Sequence, residues 1–407
     1  MIKGLISKKT TGFLLTGGLL IALIIGVVFS QSFSLGIALV VILFLSVLFL
    51  YNPYIGLFLL LFVRTATDRI GNNYSIDIGR NFSLNVNALL GILLIGLTVI
   101  YLIFKKNRKV LSWVTKAWLL YLLIASVSIF FSIEKVASIY ELFRLLSIFA
   151  IFLLGYLIAS PKKPSLIFKM ILWSSVIPLC LASYQALTET GMGRIAGLKN
   201  RLYGTFSDPN SFAAFVLIII AIIVYFIIQK KNKLNFNQNW KAYSLLIFLV
   251  FILTATFSRG GWLALIIFGA LLSIFKNPKI LLVLAGSLIL ITLMVTPVRN
   301  RVEDVYNPPI TSSVYWRFQQ WDKMYRLFLK QPFTGYGLGT EINIHEKEFG
   351  FYAGNPYTHN DILKNALETG VFGALAYILL LVTTSTTLLI SYFKTKNLNY
   401  KNIFLII

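Results

Sequence analysis

The stretch NSFAAFVLIIIAIIVYFII, at residues 210–228, contains no charged side chain. In a helix, about 20 such residues cross the hydrocarbon core of a membrane. The flanking residues mark where this helix begins and ends. Asp208 and Pro209 precede it as an N-cap and a first helical residue, and the basic run QKKNK at 229–233 follows it. The stretch therefore predicts one membrane-spanning helix.

Apolar stretches of this kind recur along the whole chain. Of its 407 residues, 57% are hydrophobic and only 13% are charged, and the mean hydropathy is +0.80. Soluble domains contain about 25% charged residues. The chain thus reads as an all-helical, polytopic integral membrane protein with about twelve transmembrane helices in a single membrane domain, residues 1–407. The predicted spans lie near residues 11–30, 33–51, 53–66, 84–104, 114–132, 138–159, 165–187, 210–228, 242–258, 260–276, 279–298 and 362–393.

The net charge of +23 is concentrated in a few loops. The clusters SKK, KKNRK, PKKP, QKKNK, KNPK and KTKNLNYK all fall between alternate spans. Cytoplasmic loops of membrane proteins are enriched in Lys and Arg, so this pattern predicts a cytoplasmic N-terminus. No basic segment is interleaved with aromatic residues as in proteins that bind single strands, which argues against a nucleic-acid partner.

This orientation places four segments of interest on the outer side, at 67–83, 188–209, 257–261 and 299–361. The last is the longest hydrophilic segment, and we expect it to be a large, partly helical extracytoplasmic loop. Within it, SSVYWRFQQWDKMYRLFLKQP predicts an amphipathic helix. This helix is expected to lie on the outer membrane–water boundary; the alternative is that it also covers a site, with Arg317 pointing into that site. The face of this helix carries residues at spacings of 4, 3, 4 and 3, namely Val314, Phe318, Trp321, Tyr325 and Phe328.

Two further helices are predicted to begin on the outer side. In SRGG, two glycines break the chain before Trp262 opens a span. In THND, Thr358 and Asp361 stand three residues apart, as in a capping box. Helix N-termini expose N–H groups and the positive end of the helix dipole, which favour anions. The capping box leaves His359 unexplained.

Three residues from separate outer loops form a candidate site: Arg201, Arg259 and His359. The planar guanidinium of arginine binds two phosphate oxygens at once, and histidine can accept a proton from a hydroxyl near neutral pH. The alternative is that the arginines contact lipid headgroups and that His359 only caps a helix. The second histidine, His345, is predicted to be a solvated loop residue.

Other kinds of chemistry find less support. Two histidines and one cysteine do not provide a usual zinc site. The chain contains no D-x-D sequence, which argues against metal-assisted use of a nucleotide-linked sugar, and no Walker motif. GYGLGT at 335–340 lacks the strand and helix of a nucleotide-binding loop and is read as turns. We therefore expect neither a metal nor a cofactor.

Four motifs occur in the order seen in the bacterial O-antigen ligase and O-antigen polymerase family, which this chain resembles. They are RLYGTFSDPNSFA (201–213), SRGGWLAL (258–265), SSVYWRFQQW with PFTGYGLGT (312–340) and HNDILKNALETGVFGAL (359–375). The topology resembles the family over the whole chain, and the motifs are concentrated between residues 201 and 375.

The resemblance implies a glycosyltransferase at the outer face of the inner (plasma) membrane, with an undecaprenyl-diphosphate-linked glycan as donor. The functional positions of the family match Arg201, Arg259 and His359, which are the expected catalytic residues. Six further residues are expected to bind substrate. One is Arg317, from the amphipathic helix of the large loop; the resemblance adds Asn210, Trp321, Gly337, Asn360 and Glu368.

The residues themselves agree with such a reaction. Arginines can neutralise the charge on a departing diphosphate without a metal, and His359 can take the proton of an acceptor hydroxyl. In-line attack would invert the anomeric carbon. The expected partners are the lipid-linked donor, a glycan acceptor and the bilayer, with a chain-length regulator and a flippase as further candidates.

Several alternatives stay open. A polymerase that extends a lipid-linked glycan is favoured over a ligase that transfers finished glycan to lipid A core. The Lys-, Asn-, Ile- and Phe-rich composition points to an AT-rich genome, which favours an organism without lipopolysaccharide and so without lipid A core. A polysaccharide transporter or flippase would concentrate ionisable residues within the membrane. Here Glu141 and Arg144 are close enough on one helix to pair with each other. A scaffolding protein would not need the three-loop cluster.

Overall fold

The fold is described from a computed structural model of the chain. The residues that the structure describes are 33–69, 75–77, 83–104, 112–158, 164–192, 200–229, 236–276, 299–300, 302–303, 306, 313–350, 357–397 and 401–404.

These residues are almost entirely helical. The longer elements, in chain order, are α1 (Phe33–Tyr51), α2 (Pro53–Ala66), β1 (Ser75–Asp77), β2 (Ser83–Asn85), α3 (Val86–Phe104), α4 (Trp113–Ser128), α5 (Lys135–Ile158), α6 (Pro164–Ser174), α7 (Val176–Thr188), α8 (Pro209–Gln229), α9 (Phe236–Ala255), α10 (Arg259–Phe275), α11 (Ser313–Lys330), α12 (Glu341–Phe349) and α13 (Asp361–Lys394).

Among the described residues, six helical segments are long and apolar enough to cross a membrane. They are Val86–Ile103, Trp113–Phe131, Lys135–Ile158, Ser165–Thr188, Pro209–Gln229 and Asp361–Lys394. Three shorter apolar helices accompany them, at Pro53–Ala66, Trp240–Ala255 and Arg259–Phe275. The chain is therefore an integral membrane protein. The predicted spans at 11–30 and 279–298 lie outside the described residues, and the total of about twelve stays a prediction.

Two apolar clusters hold the elements that carry the candidate site. One joins α4, α5 and α13 and includes Leu338, from the loop between α11 and α12, at 1% exposure. The other joins α7, α8 and α9 around Phe212 and Leu253 and also contains Leu202 from the loop before α8. Both loops are thus anchored in the helical core by a buried leucine.

Two local features depart from the predicted spans. Residues 75–77 and 83–85, next to the start of α3, form a short antiparallel pair in which Ile76 lies opposite Leu84. The predicted span 165–187 is divided at Ser175, where α6 ends and α7 begins.

The last span departs further from a continuous helix. Gly370 interrupts α13 with a φ of 71° and a ψ of −173°. The hydroxyl of Tyr377 donates to the carboxylate of Asp361 at 3.3 Å, whereas 16 residues of straight helix would separate their backbones by about 24 Å. Residues 361–369, the short arm, therefore fold back against residues 371–394, the long arm.

The fold-back makes Gly370 sensitive to substitution. The backbone conformation of Gly370 is essentially restricted to glycine and costs any other residue about 1–3 kcal/mol. A Cβ there would also overlap the carbonyl oxygen of Phe333. We expect Gly370→Ala to lower the thermal unfolding temperature of the purified protein in detergent.

Gly155→Ala is the matched control for this experiment. Gly155 lies inside α5, and a Cβ there would meet nothing within 4 Å. Alanine is favoured over glycine in a helix interior, so the control should unfold at the same temperature as the wild type or slightly higher. Equal stability of both variants would contradict the fold-back at Gly370.

Candidate functional site

Arg201 joins two of the loops that are predicted to lie on the outer side. Its Nε donates to the carbonyl of Thr256 at 2.8 Å, and its Nη2 donates to the side-chain oxygen of Asn210 at 3.2 Å. The neighbouring Leu202 donates its N–H to the carbonyl of Ala255 at 3.1 Å. Arg201 is only 6% exposed. A guanidinium carries five N–H groups, so these two bonds use part of its donor capacity.

A buried glutamine fixes the loop that carries Arg201. The side-chain oxygen of Gln185 accepts the N–H groups of Tyr203 and Gly204 at 3.1 and 3.0 Å, and its amide nitrogen donates to the carbonyl of Gly204 at 3.0 Å. The sequence did not predict this role, because Gln185 lies in an apolar span and its partners come from the next loop.

The start of α8 agrees with the sequence. The carboxylate of Asp208 accepts the N–H groups of Asn210 and Ser211 at 2.9 and 3.0 Å, and Pro209 is the first helical residue. The predicted N-cap is therefore confirmed. Asn210 is the second helical residue and accepts the bond from Arg201, so it positions the arginine.

Arg259 occupies the start of α10. Ser258 is the N-cap, and its hydroxyl accepts the N–H of Gly261 at 3.3 Å. The helix begins at Arg259. The prediction that two glycines break the chain before Trp262 was therefore wrong, because the serine cap lets both glycines join the first turn. Arg259 is half-buried there.

Arg259 and Arg317 both lie close enough to Arg201 for their charges to act on it. Burial is the main cause that lowers the pKa of Arg201, Asp208 opposes it, and the charges of Arg259 and Arg317 lower the pKa further. Burial also lowers the pKa of Arg317, which Asp208 opposes. Neighbouring like charges disfavour each other's ionised forms. Arg201 and Arg317, on which the charge of Asp208 acts, and Arg259, whose charge acts on Arg201, therefore form a cationic group that favours the binding of an anion.

The backbone of His359 is held in an unusual conformation. Its φ is 52°, in the left-handed region that residues other than glycine rarely adopt. The indole N–H of Trp321 donates to the carbonyl of Thr358 at 2.7 Å, just before His359. On the other side, Asn360 caps α13 by accepting the N–H of Leu363 at 3.1 Å. Such strain is typical of functional sites.

The capping box predicted from Thr358 and Asp361 was therefore wrong. Asn360 is the N-cap, and Thr358 is fully buried. The N–H of Thr358 donates to the carboxylate of Glu341 at 2.5 Å, and its hydroxyl donates to the same oxygen. Trp321 and Asn360, both predicted to bind substrate, thus hold the backbone on either side of His359.

Glu341 is a site residue that the sequence analysis missed. It is 3% exposed at the start of α12, and its N–H donates to the carboxylate of Glu368 at 3.1 Å. One carboxylate oxygen of Glu341 lies 3.8 Å from the ammonium of Lys364. Glu341 and Thr358 are 17 residues apart, so only the fold brings them together.

The two other predicted binding residues lie within this framework. The N–H of Gly337 donates to the carbonyl of Glu368 at 2.8 Å, and Glu368 is 1% exposed. Gly337 has a φ of 103°, and a Cβ there would overlap Ser132. The reading of GYGLGT as turns is confirmed. The hydrogen bonds described here link neither Gly337 nor Glu368 to Arg201, Arg259 or Arg317.

The electrostatic surroundings favour the neutral form of His359. The residue as a whole is exposed, while its imidazole is partly surrounded by neighbouring atoms. Burial of the imidazole beside neighbouring atoms lowers its pKa below 6.5, and the charge of Arg317 lowers the pKa further. Asp208, Glu341 and Asp361 oppose this shift. A neutral imidazole at pH 7 can accept a proton.

His345 was wrongly predicted to be a solvated loop residue. It is 2% exposed within α12, and its ring lies 5.6 Å from that of Trp316 and 5.1 Å from that of Phe349. It is buried because α12 packs against α11, an arrangement that the loop composition did not indicate. Burial lowers the pKa of His345. Its surroundings are those of a structural core histidine.

The predicted helix in the large loop is confirmed as α11. Its buried face carries Gln320, Met324 and Leu327, whereas Phe318 and Tyr325 of the predicted aromatic face are 57% and 52% exposed. An exposed aromatic face suits a helix at the membrane boundary. The half-buried Arg317 lies on the same helix, and its charge lowers the pKa of both Arg201 and His359.

Within the described ranges, no group of three or more His, Cys, Asp or Glu side chains is placed to hold a metal ion.

Comparison with known families supports the resemblance seen in the motifs. Residues 244–378, about a third of the chain, match the family model described as O-antigen ligase. The matched segment includes Arg259, Arg317 and His359, whereas Arg201 and Asn210 precede it. The recognition of the O-antigen ligase and polymerase family is thus confirmed over this segment. No curated protein and no solved structure matches the chain.

Proposed function

We propose that this protein is a membrane glycosyltransferase that polymerises surface polysaccharide. It transfers oligosaccharide repeat units from an undecaprenyl-diphosphate carrier to a growing glycan. The observation that supports this most is the electrostatic link among four residues: the charges of Arg259 and Arg317 act on Arg201, and the charge of Arg317 acts on His359, a base whose neutral form is favoured. A diphosphate is the anion that such an arginine group suits best, because each guanidinium can bind two of its oxygens.

The reaction needs one base and one anion-binding group. A hydroxyl oxygen of the acceptor sugar attacks the anomeric carbon of the donor, and its proton passes to the imidazole of His359. The bond between that carbon and the diphosphate oxygen breaks, and the arginines stabilise the charge that stays on the lipid diphosphate. Attack opposite the leaving group inverts the anomeric carbon, and the residues supply both functions without a metal.

The proposed location follows from the loops that carry these residues. Arg201, Arg259 and His359 come from segments opposite the basic clusters, and cytoplasmic loops are the ones enriched in Lys and Arg. The site is therefore proposed to face outward from the inner (plasma) membrane, with the N-terminus in the cytoplasm. A flippase that delivers the donor and a chain-length regulator are proposed partners.

A ligase that transfers finished glycan to lipid A core or another acceptor is the main alternative, since the matched family is described as O-antigen ligase. The glycan profile of a strain that lacks this protein distinguishes the two. We expect single repeat units to accumulate on the carrier lipid or on its acceptor. Full-length chains stranded on the carrier lipid would instead identify a ligase, and an unchanged profile would contradict both.

A further inference from the structure

A cavity lined by both charged and aromatic side chains lies between α4, α5 and the two arms of α13. Its volume is about 500 Å³, within the roughly 300–1,000 Å³ of ligand-binding sites. None of the three arginines lines it. All these elements contribute lining residues, among them Trp118, Tyr121, Glu141, Arg144, Lys364 and Tyr377.

Charged side chains form part of the wall of this cavity. The guanidinium of Arg144 donates to both carboxylate oxygens of Glu141 at 2.5 and 2.6 Å, which confirms the predicted pair. The ammonium of Lys364 lies 3.1 Å from the same carboxylate. Glu141 and Arg144 belong to α5, a helix that can span a membrane, where charged residues are costly and usually functional.

Stability alone is a weak reason for such a network. Ion pairs removed from water lose hydration that their mutual attraction only partly restores. The side chain of Arg144 is nevertheless 57% exposed, so its guanidinium is accessible from the cavity that it lines. The network thus presents charged hydrogen-bonding groups to a ligand.

Aromatic rings form another part of the wall. The ring of Tyr121 lies 6.3 Å from that of Trp118 and 5.8 Å from that of Tyr377. Aromatic faces beside a few directed polar groups are typical of sites that bind small polar ligands. A sugar ring suits this combination, because its C–H faces pack on aromatic rings while its hydroxyls form hydrogen bonds.

The charge balance argues against a second diphosphate site. The acidic residues that line the cavity are Glu141, Asp361 and Glu368, and the basic ones are Arg144 and Lys364. The bases do not outnumber the acids, whereas phosphate recognition calls for an excess of cationic donors. An uncharged ligand with many hydroxyls fits this balance better.

His359 connects the cavity with the arginines. Asp361 lines the cavity and follows His359 by two residues. His359 lies close enough to feel the charges of both Asp361 and Arg317. A sugar held in the cavity would therefore lie close to the start of α13 and to His359, which directly precedes it.

We infer that the cavity between α4, α5 and α13 binds a sugar unit of the acceptor glycan. This inference rests on the proposed function, since it supplies the acceptor for the donor held by the arginines. It assigns to the Glu141–Arg144–Lys364 network the task of orienting sugar hydroxyls.

The test is a binding titration with free oligosaccharide. Mild acid releases the glycan from its diphosphate carrier, and the product contains neither lipid nor phosphate. Ser385 lines the cavity and is exposed, so Ser385→Trp fills the cavity without disturbing the core. We expect this variant to bind the oligosaccharide about tenfold or more weakly than the wild type, which is about 1.4 kcal/mol.

Thr386→Trp is the matched control. Thr386 is the next residue on the same helix, is exposed and does not line the cavity, so its substitution should leave binding unchanged. Inorganic diphosphate, which probes the arginines, should bind equally to both variants. Undiminished oligosaccharide binding by Ser385→Trp, or no binding by the wild type, would overturn the inference.

A transfer assay with the intact lipid-linked donor separates this inference from the proposed function. Transfer that does not respond to Ser385→Trp leaves the function standing and removes the acceptor site. Oligosaccharide binding without any transfer retains the cavity as a sugar site and removes the proposed reaction.

Discussion

His359→Asn is expected to lower the rate of glycan transfer by about 10²–10⁴ at saturating donor and acceptor. Asparagine tolerates the left-handed backbone that His359 adopts, so the loop should keep its shape while the base is lost. The measurement is the turnover of the purified protein in lipid, with a fluorescent lipid-linked donor and products separated by size.

Two controls separate a base from a merely structural residue. His359→Gly suits a φ of 52° even better and should lose the same activity, with diphosphate binding and unfolding temperature unchanged in both variants. If His359 only shaped the turn before α13, both substitutions would preserve turnover. Near wild-type turnover of the asparagine variant would end the catalytic assignment.

The pH dependence provides an independent check of the same residue. Burial and Arg317 lower the pKa of His359 below 6.5, and the imidazole accepts a proton only in its neutral form. Transfer should therefore be fully active at pH 7 and fall as the pH drops through this lowered pKa. A rate that already falls between pH 8 and pH 7 would contradict this assignment.

The sequence indicated the candidate site residues but not the framework around them. Arginines and a histidine at the ends of predicted spans stand out because few charges occur in so apolar a chain. Glu341 and Gln185 were missed because their partners lie in other segments of the chain. Local sequence patterns report on neighbours within a turn or two, and these contacts exist only after the loops have packed.

The fold of the last span shows the same limit. Apolar residues on both sides of Gly370 predict a continuous helix, because an isolated glycine is tolerated inside a helix at a modest cost. The break becomes necessary only when Gly370 packs against the backbone of Phe333. The fold-back has a consequence for the cavity, since it places Asp361 beside Tyr377 and so forms one wall.

Arg259→Ala is expected to lower kcat/KM for the donor by about 10²–10³, the usual effect of removing one preorganised group that stabilises developing negative charge. Arg259 is a cleaner test than Arg201, whose guanidinium also bonds to Thr256 and Asn210 and whose loss would loosen the loops. Arg259→Lys should recover only part of the activity, because an ammonium keeps the charge but lacks the planar fork. The measurement is the dependence of turnover on donor concentration, together with inhibition by inorganic diphosphate, which should weaken in both variants.

Arg326→Ala is the control, since Arg326 is 71% exposed on α11 and pairs with Asp322. If Arg259 merely contacted lipid headgroups, lysine would replace it fully and the donor KM would not change, and that result would remove it from the diphosphate site.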